Sequence, residues 1–179
     1  MASATDNFNR ASLGSNWTLA LNTVVTNASA TFTGNTLNAH SLAYWSADTF
    51  GPEQFSQAKV SVLATPSRMG PGVRISTNNG YYISASVDQT RVFKIVSGTA
   101  TQLGSDYTAA AANDILRIVV SGSLLYIYQA GVLLAQISDT ALTSGSPGIG
   151  TYNNSADSRG DDWEGGDLIY TPQRMRRRT

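Results

Sequence analysis

A chain of 179 residues is long enough for one well-buried domain and short for two. Only 13% of the residues are charged, about half the usual share, and twelve Lys/Arg balance twelve Asp/Glu. That balance argues against a nucleic-acid partner, and the absence of cysteine excludes disulfides and thiolate metal sites.

Residues 1–7 carry no basic n-region and no apolar h-region, so no secretory signal is expected. A chain that starts at its own Met1 suggests an intact small gene product. No run reaches the roughly 18 apolar residues of a membrane helix, so membrane insertion is not expected. Strands are predicted at 16–21, 23–26, 29–33, 37–39, 42–46, 57–64, 72–76, 81–87, 91–97 and 99–103. Several of them alternate with period two. Ile83, Ala85 and Val87 define one face of their strand, and Tyr82, Ser84 and Ser86 the other. The Ala-rich run at 109–112 is too short to stand alone as a helix. A meander follows at 117–120, 124–128 and 132–137, turned at Ser121-Gly122-Ser123 and Gln129-Ala130-Gly131. It is apolar on both faces (Ile118, Val119, Val120; Leu124, Leu125, Ile127), which predicts a central position covered on both sides. Strands at 148–152 and 166–170 complete the set.

Many short strands at regular spacing predict an all-β fold, two antiparallel sheets packed as a sandwich. No linker divides the interior, so residues 1–171 are read as one domain and 172–179 as a basic arm. Residues 1–173 hold eight Lys/Arg against twelve Asp/Glu, a net charge of −4, while Arg174, Arg176, Arg177 and Arg178 crowd the end. An acidic body with a basic arm predicts an arm that docks on an acidic partner, such as a neighbouring copy or another protein.

The opening Asp6-Asn7-Phe8-Asn9-Arg10 with Leu13-Gly14-Ser15-Asn16-Trp17 resembles the D-x-F-x-R … L-G-x-x-W start of concanavalin A-like, laminin G-like jelly rolls. Gly72-Val73-Arg74 followed by Gly80-Tyr81-Tyr82 is similar to a hairpin of that superfamily. Asp162-Trp163-Glu164-Gly165-Gly166-Asp167 resembles its D-x-F-x-x-G-D closing strand. The resemblance covers roughly residues 6–170 and implies a jelly-roll sandwich, with Phe8, Trp17 and Trp163 plugging the core where the first and last strands pair. It implies little about activity, because lectins, glycanases, adhesion modules and particle proteins share the architecture.

The glycanases of that superfamily carry E-x-D-x-E on one strand, and a retaining pair needs two carboxylates about 5 Å apart. Here Glu53 and Glu164 are the two glutamates, far apart in sequence and outside any such pattern. His40 is the one histidine, and no G-x-S-x-G elbow accompanies it. No enzyme is expected. Four binding sites are candidates. Tyr44 and Trp45 with His40 and Asp48 offer an aromatic platform with polar neighbours for a glycan, as do Tyr81 and Tyr82 beside Asn78 and Asn79. Asn153, Asp157, Asp161 and Asp162 are an oxygen-rich set of the kind that takes calcium, the single cofactor considered. Arg159-Gly160-Asp161 spells an adhesion tripeptide.

The Ser/Thr/Asn-rich surface, the missing catalytic set and the basic arm favour a structural component of a virus or phage particle, such as a capsid decoration protein or a tail or fibre subunit. Such a component is expected to be a homo-oligomer, a trimer for instance, located in the virion. The alternatives are a carbohydrate-binding module meeting surface glycans outside a cell and a calcium-assisted adhesion domain.

Overall fold

The computed structural model describes residues 1–26, 31–153 and 157–168, the side chain of Asn153 excepted. The basic arm 172–179, and with it Arg174, Arg176, Arg177 and Arg178, lies outside the described residues. The described chain is all β, with no helix. Its strands are β1 (Ser3–Asp6), β2 (Trp17–Leu21), β3 (Val24–Thr26), β4 (Phe32–Gly34), β5 (Ala39–Trp45), β6 (Gln54–Val62), β7 (Arg68–Ser76) and β8 (Asn79–Ala85). They continue as β9 (Thr90–Val96), β10 (Thr99–Tyr107), β11 (Ile115–Ser121), β12 (Leu124–Gln129), β13 (Val132–Ser138), β14 (Ser146–Asn153) and β15 (Arg159–Asp167).

Two antiparallel sheets face each other as a jelly-roll sandwich. The first runs β13-β12-β11-β6-β15-β4-β3, with β1 also paired to β15, and the second runs β10-β9-β8-β7-β14-β5-β2. Alternation explains the layers. In β6, Gln54, Ser56, Ala58 and Val60 are buried while Phe55, Gln57 and Lys59 are half-exposed. Opposite them, Ala43 and Trp45 of β5, Ile83 and Ala85 of β8 and Val92 of β9 complete one core with Leu116, Ile118, Val120, Leu125 and Ile127.

The meander β11–β13 is not central. It forms one end of the first sheet, with β13 on the edge. Its inner face is buried, but Val132 and Leu133 are exposed and Val119 and Tyr126 half-buried. β-Branched and aromatic residues suit an outward pleated face as well as a core, so apolarity on both faces does not prove cover on both. On that outer face the Arg117 guanidinium lies 4.0 Å from the Phe55 ring centroid, shielding apolar surface without a second layer.

The acidic, glycine-rich run is also more regular than its composition suggests. Gly and Asp disfavour strands, and the expected strand began at 166. Instead β15 starts at Arg159 and runs through the middle of the first sheet. Its glycines answer to packing: a β-carbon on Gly160 would drive into Met69 and Phe32. The register shifts between Asp161 and Glu164, where Asp162 sits at φ 44°. β1, which the strand pattern missed, pairs Asp6 with Trp163 and closes the sandwich where the superfamily resemblance placed the aromatic plugs. Phe8, Trp17 and Trp163 are all buried there.

Candidate functional site

β5 places the predicted glycan platform on two different sides of the second sheet. His40 and Tyr44 point outward. Trp45, an odd number of residues from His40, points into the core. Its ring stacks on Trp163 at 5.6 Å and meets Trp17 edge-on at 5.5 Å. Asp48 caps the indole, accepting Nε1–H at 2.8 Å. Trp45 and Asp48 therefore serve the core and its rim, and Trp45 is no sugar platform. The Tyr81-Tyr82 pair is divided in the same way. Tyr81 faces inward, its hydroxyl donating to Asp139 at 2.6 Å, and Tyr82 faces outward. Asn78 and Asn79 serve the hairpin: the Asn79 side chain donates to the Thr77 carbonyl, and Asn78 adopts φ 60°.

Around His40 the outer face of the second sheet carries a second aromatic cluster. Three lateral neighbours, His40 on β5, Tyr152 on β14 and Arg68 on β7, form one row. Beside them, β8 and β9 pair Tyr82 with Phe93 and Ser84 with Arg91. The Tyr82 ring lies flat over Gly150, where a β-carbon would drive into it. Its hydroxyl lies 2.5 Å from His40 Nδ1. The His40 ring packs against Phe93 at 4.7 Å and Tyr152 at 5.0 Å. His40, Pro66, Arg68, Ser84, Arg91, Phe93 and Tyr152 line a hollow of about 300 Å³ on this face.

The electrostatics of the hollow are uneven. Burial, helped by the nearby Arg68 charge, lowers the His40 pKa to about 4, and burial pushes the Tyr82 phenol well above its ordinary value. Both are neutral near pH 7. Arg91 forms a two-point ion pair with Asp106, 2.7 Å through Nε and 2.9 Å through Nη2. Gln89, its amide oriented to satisfy its neighbours, accepts from Arg91 and from Arg68 Nη2 at 3.2 Å and donates to Asp106 at 2.7 Å. Arg68 Nε is buried and has no hydrogen-bond partner among the described residues. Desolvation and then the Arg91 charge hold the Arg68 pKa below the usual guanidinium value.

Of the residues lining this hollow, the sequence marked only His40 as a glycan ligand. Arg68, Ser84, Arg91, Phe93 and Tyr152 were missed as site residues. Period two already put Arg91 and Phe93 on one face of their strand. The lateral register that carries them to His40 was the missing signal, and that register is set by pairing across four other strands.

The calcium set is partly taken by cations of the chain. Asp157 Oδ2 accepts from Arg159 Nε at 2.5 Å, and Asp162 meets Lys59 at 3.5 Å. Asp161 accepts the Asp162 backbone N–H at 2.8 Å, and burial raises its pKa. The Asn153 side chain lies outside the described residues. Among those described, no three His, Cys, Asp or Glu side chains cluster closely enough to hold a metal. Arg159-Gly160-Asp161 starts a central strand with Gly160 buried, so the tripeptide is not presented on a loop.

The opening motif is a clasp. Asp6 accepts from Arg10 Nη1 and Nη2 at 2.7 and 2.6 Å, Trp17 Nε1 at 2.6 Å and the Phe8 backbone N–H at 2.7 Å. Burial alone would raise the Asp6 pKa; the hydrogen bonds from Arg10, Trp17 and Phe8 outweigh it and lower the value. Arg74 is a second clasp. Its buried guanidinium donates to the carbonyls of Pro52 at 3.1 Å, Leu142 at 2.8 Å and Gly122 at 2.8 Å.

No protein-family model matches the sequence, and no characterised protein matches it in sequence comparison. Solved structures match it in fold. The carbohydrate-binding module CBM66 from Bacillus subtilis superposes with a TM-score of 0.64 at 18% identity, covering 82% of this chain and 91% of that one. The exoplasmic/lumenal domain of VIP36, solved with Ca2+ and Man3GlcNAc bound, gives 0.56 at 11% identity, covering 87% and 85%. The Crh5 transglycosylase in complex with NAG gives 0.61 at 10% identity, covering 94% and 85%. At such identities the likeness establishes the two-sheet jelly-roll fold alone. An enzyme is among the three, so the fold does not itself separate binding from catalysis.

Proposed function

We propose that this protein is a non-catalytic carbohydrate-binding module whose glycan seat is the hollow around His40. The observation that carries the reading is the composition of that hollow. Phe93, Tyr152 and His40 supply rings against which the C–H faces of a sugar can pack. Arg68, Arg91 and Ser84 supply polar groups for its hydroxyls. A carbohydrate-binding module and a domain solved with a bound oligosaccharide among the similar folds support the same reading. Binding is favoured over hydrolysis because, among the described residues, no carboxylate lines the hollow. Glu53, just before β6, accepts the Gly122 N–H at 2.9 Å and Glu164 on β15 accepts from Gln57 at 2.8 Å, and neither lines the hollow.

The particle role expected from composition has no counterpart among these similar structures, and the basic arm that motivated it lies outside the described residues. The glycan reading therefore replaces it as the lead. An extracellular location follows from this proposal, since the polymeric glycans such modules meet lie outside cells.

The test is isothermal titration against a panel of soluble polysaccharides with the wild-type protein and with Phe93→Ala and Tyr152→Ala. Binding to at least one polysaccharide that is lost in both variants, with unchanged circular dichroism, supports the seat. Binding that survives both substitutions moves the seat elsewhere and overturns the assignment.

A further inference from the structure

Among the charged groups that line or border the hollow, Arg68 stands apart. Arg91 is neutralised by Asp106 through two hydrogen bonds. The Arg68 side chain lines the hollow, Nε is buried without a hydrogen-bond partner, and the contact found for its Nη2 is the neutral amide of Gln89. No carboxylate within ion-pair distance of Arg68 occurs among the described residues. His40 and Tyr82 beside it are both neutral near pH 7, and the one carboxylate whose charge reaches it, Asp106, is already held by Arg91. A guanidinium left in this condition has lost part of its hydration and gained only a share in the distant Asp106 charge, an arrangement with a free-energy cost.

Charge bookkeeping sharpens the point. Arg68 and Arg91 against Asp106 leave one net positive charge at the hollow, on a body whose residues 1–173 are net −4. A neutral sugar would hydrogen-bond to Arg68 and leave that charge unmet. A planar carboxylate would supply the missing counter-charge, and the fork of an arginine is suited to charge-assisted hydrogen bonds with such a group. The rings of Phe93 and Tyr152 remain available to the sugar ring itself.

We infer that the hollow selects acidic saccharides, sugars of the uronic acid class, whose carboxylate pairs with Arg68 while the pyranose packs on Phe93 and Tyr152. This rests on the glycan-binding reading above and narrows it to a substrate class. Arg68 is then a specificity-determining residue.

The experiment compares oligogalacturonate and a glucuronate-containing oligosaccharide with their carboxyl-reduced, neutral counterparts by titration calorimetry at pH 7. The wild-type protein should bind at least one acidic ligand about tenfold or more tightly than its reduced form, the discrimination expected of a charge-assisted hydrogen-bonded pair. In Arg68→Gln that preference should collapse to near unity, the acidic ligand losing about tenfold more affinity than its reduced form. Equal affinity of the wild type for acidic and reduced ligands overturns the inference and leaves the glycan reading standing. Failure of every saccharide, acidic and neutral, overturns both. The wild-type comparison decides the matter even if Arg68→Gln does not fold. Free glucuronate and free acetate complete the series: acetate competing as well as the sugar acid would mean a simple carboxylate site and would overturn the saccharide class.

Discussion

The two aromatic clusters of this protein lie on opposite sides of one sheet and have opposite duties. Inside, Trp17, Trp45 and Trp163 meet at centroid distances of 4.7–5.6 Å, with Phe8 5.6 Å from Trp17. Outside, His40, Tyr82, Phe93 and Tyr152 pack almost as closely, at 4.7–6.0 Å. The difference is what ends the cluster. The inner rings are enclosed by the other sheet, and their indole N–H groups are consumed by Asp6, Asp48 and Ser56. The outer cluster stops at a hollow, with the half-exposed rings of Phe93 and Tyr152 at its boundary and an Arg68 guanidinium that has no ion-paired carboxylate among the described residues. Aromatic density alone therefore does not mark a binding face. What sets the outer cluster apart is the open hollow at its boundary.

The comparison breaks most visibly at Trp163. Truncating this fully buried ring removes partners from Trp17 and Trp45 together and takes away the indole N–H that donates to the Ser56 hydroxyl and the Gly148 carbonyl. Trp163→Ala should cost about 4 kcal/mol, enough to threaten folding outright, measured as the shift of a urea midpoint. Trp45→Ala should behave likewise, losing stability before it loses any glycan. A Trp45→Ala protein of wild-type stability would mean that the inner cluster is not a core.

Next comes the clasp that fixes the inner cluster to the chain opening. Asp6 is buried and accepts four hydrogen bonds, two from Arg10. Asp6→Ala should cost about 3 kcal/mol by leaving the Trp17 N–H and the Arg10 charge without their acceptor. The same contact has a pH signature. Because the folded pKa lies below 3.8, its contribution is present above that value and is lost as pH falls through the folded value. Acid unfolding of the wild type should therefore steepen below pH 4 and flatten in Asp6→Ala.

How much of this was legible in the chain depended on whether a residue's role is local. Alternation within β6, β8 and β9 gives each side chain its face, and the opening and closing motifs gave the sandwich, since their aromatic plugs act where two named segments meet. The position of the meander was not legible. Val119 and Leu124 look the same whether an outer face is covered by a layer or only by Arg117 and its neighbours. Trp45 was misread because exposure was judged from its polar neighbours His40 and Asp48, although its parity on β5 already opposed it to His40. The Arg68 row was beyond reach, because it is assembled by β5, β14 and β7, whose order in the sheet is the product of long crossovers.

The outer cluster responds to pH over a different range. His40 has its pKa lowered to about 4 against 6.5 in an unfolded chain. Between those values the unfolded chain takes up a proton that the folded chain refuses, so stability falls as pH drops from about 6.5 and levels off below about 4. After allowance for partial solvent access the loss is roughly 2 kcal/mol. His40→Gln should remove that slope, read as the difference between the two stability curves, while the steeper acid loss from Asp6 remains. A wild-type curve with no such slope would mean that His40 is more hydrated than its packing implies.

The smallest stability effect is expected of Phe93, the residue to which the proposed glycan seat gives the largest part in binding. Phe93 is half-buried, with one side of its ring against His40 and Tyr82 and the other bordering the hollow. Phe93→Ala removes no buried hydrogen bond and opens space that water can enter, so the fold should lose no more than about 1 kcal/mol. A stacked sugar would lose its apolar partner entirely, and affinity should fall about tenfold or more. Large loss of stability with intact binding would put Phe93 with the tryptophans as a core residue. The opposite pattern, binding lost from a fold that hardly changes, is what separates a face built to meet a ligand from one built to meet another sheet.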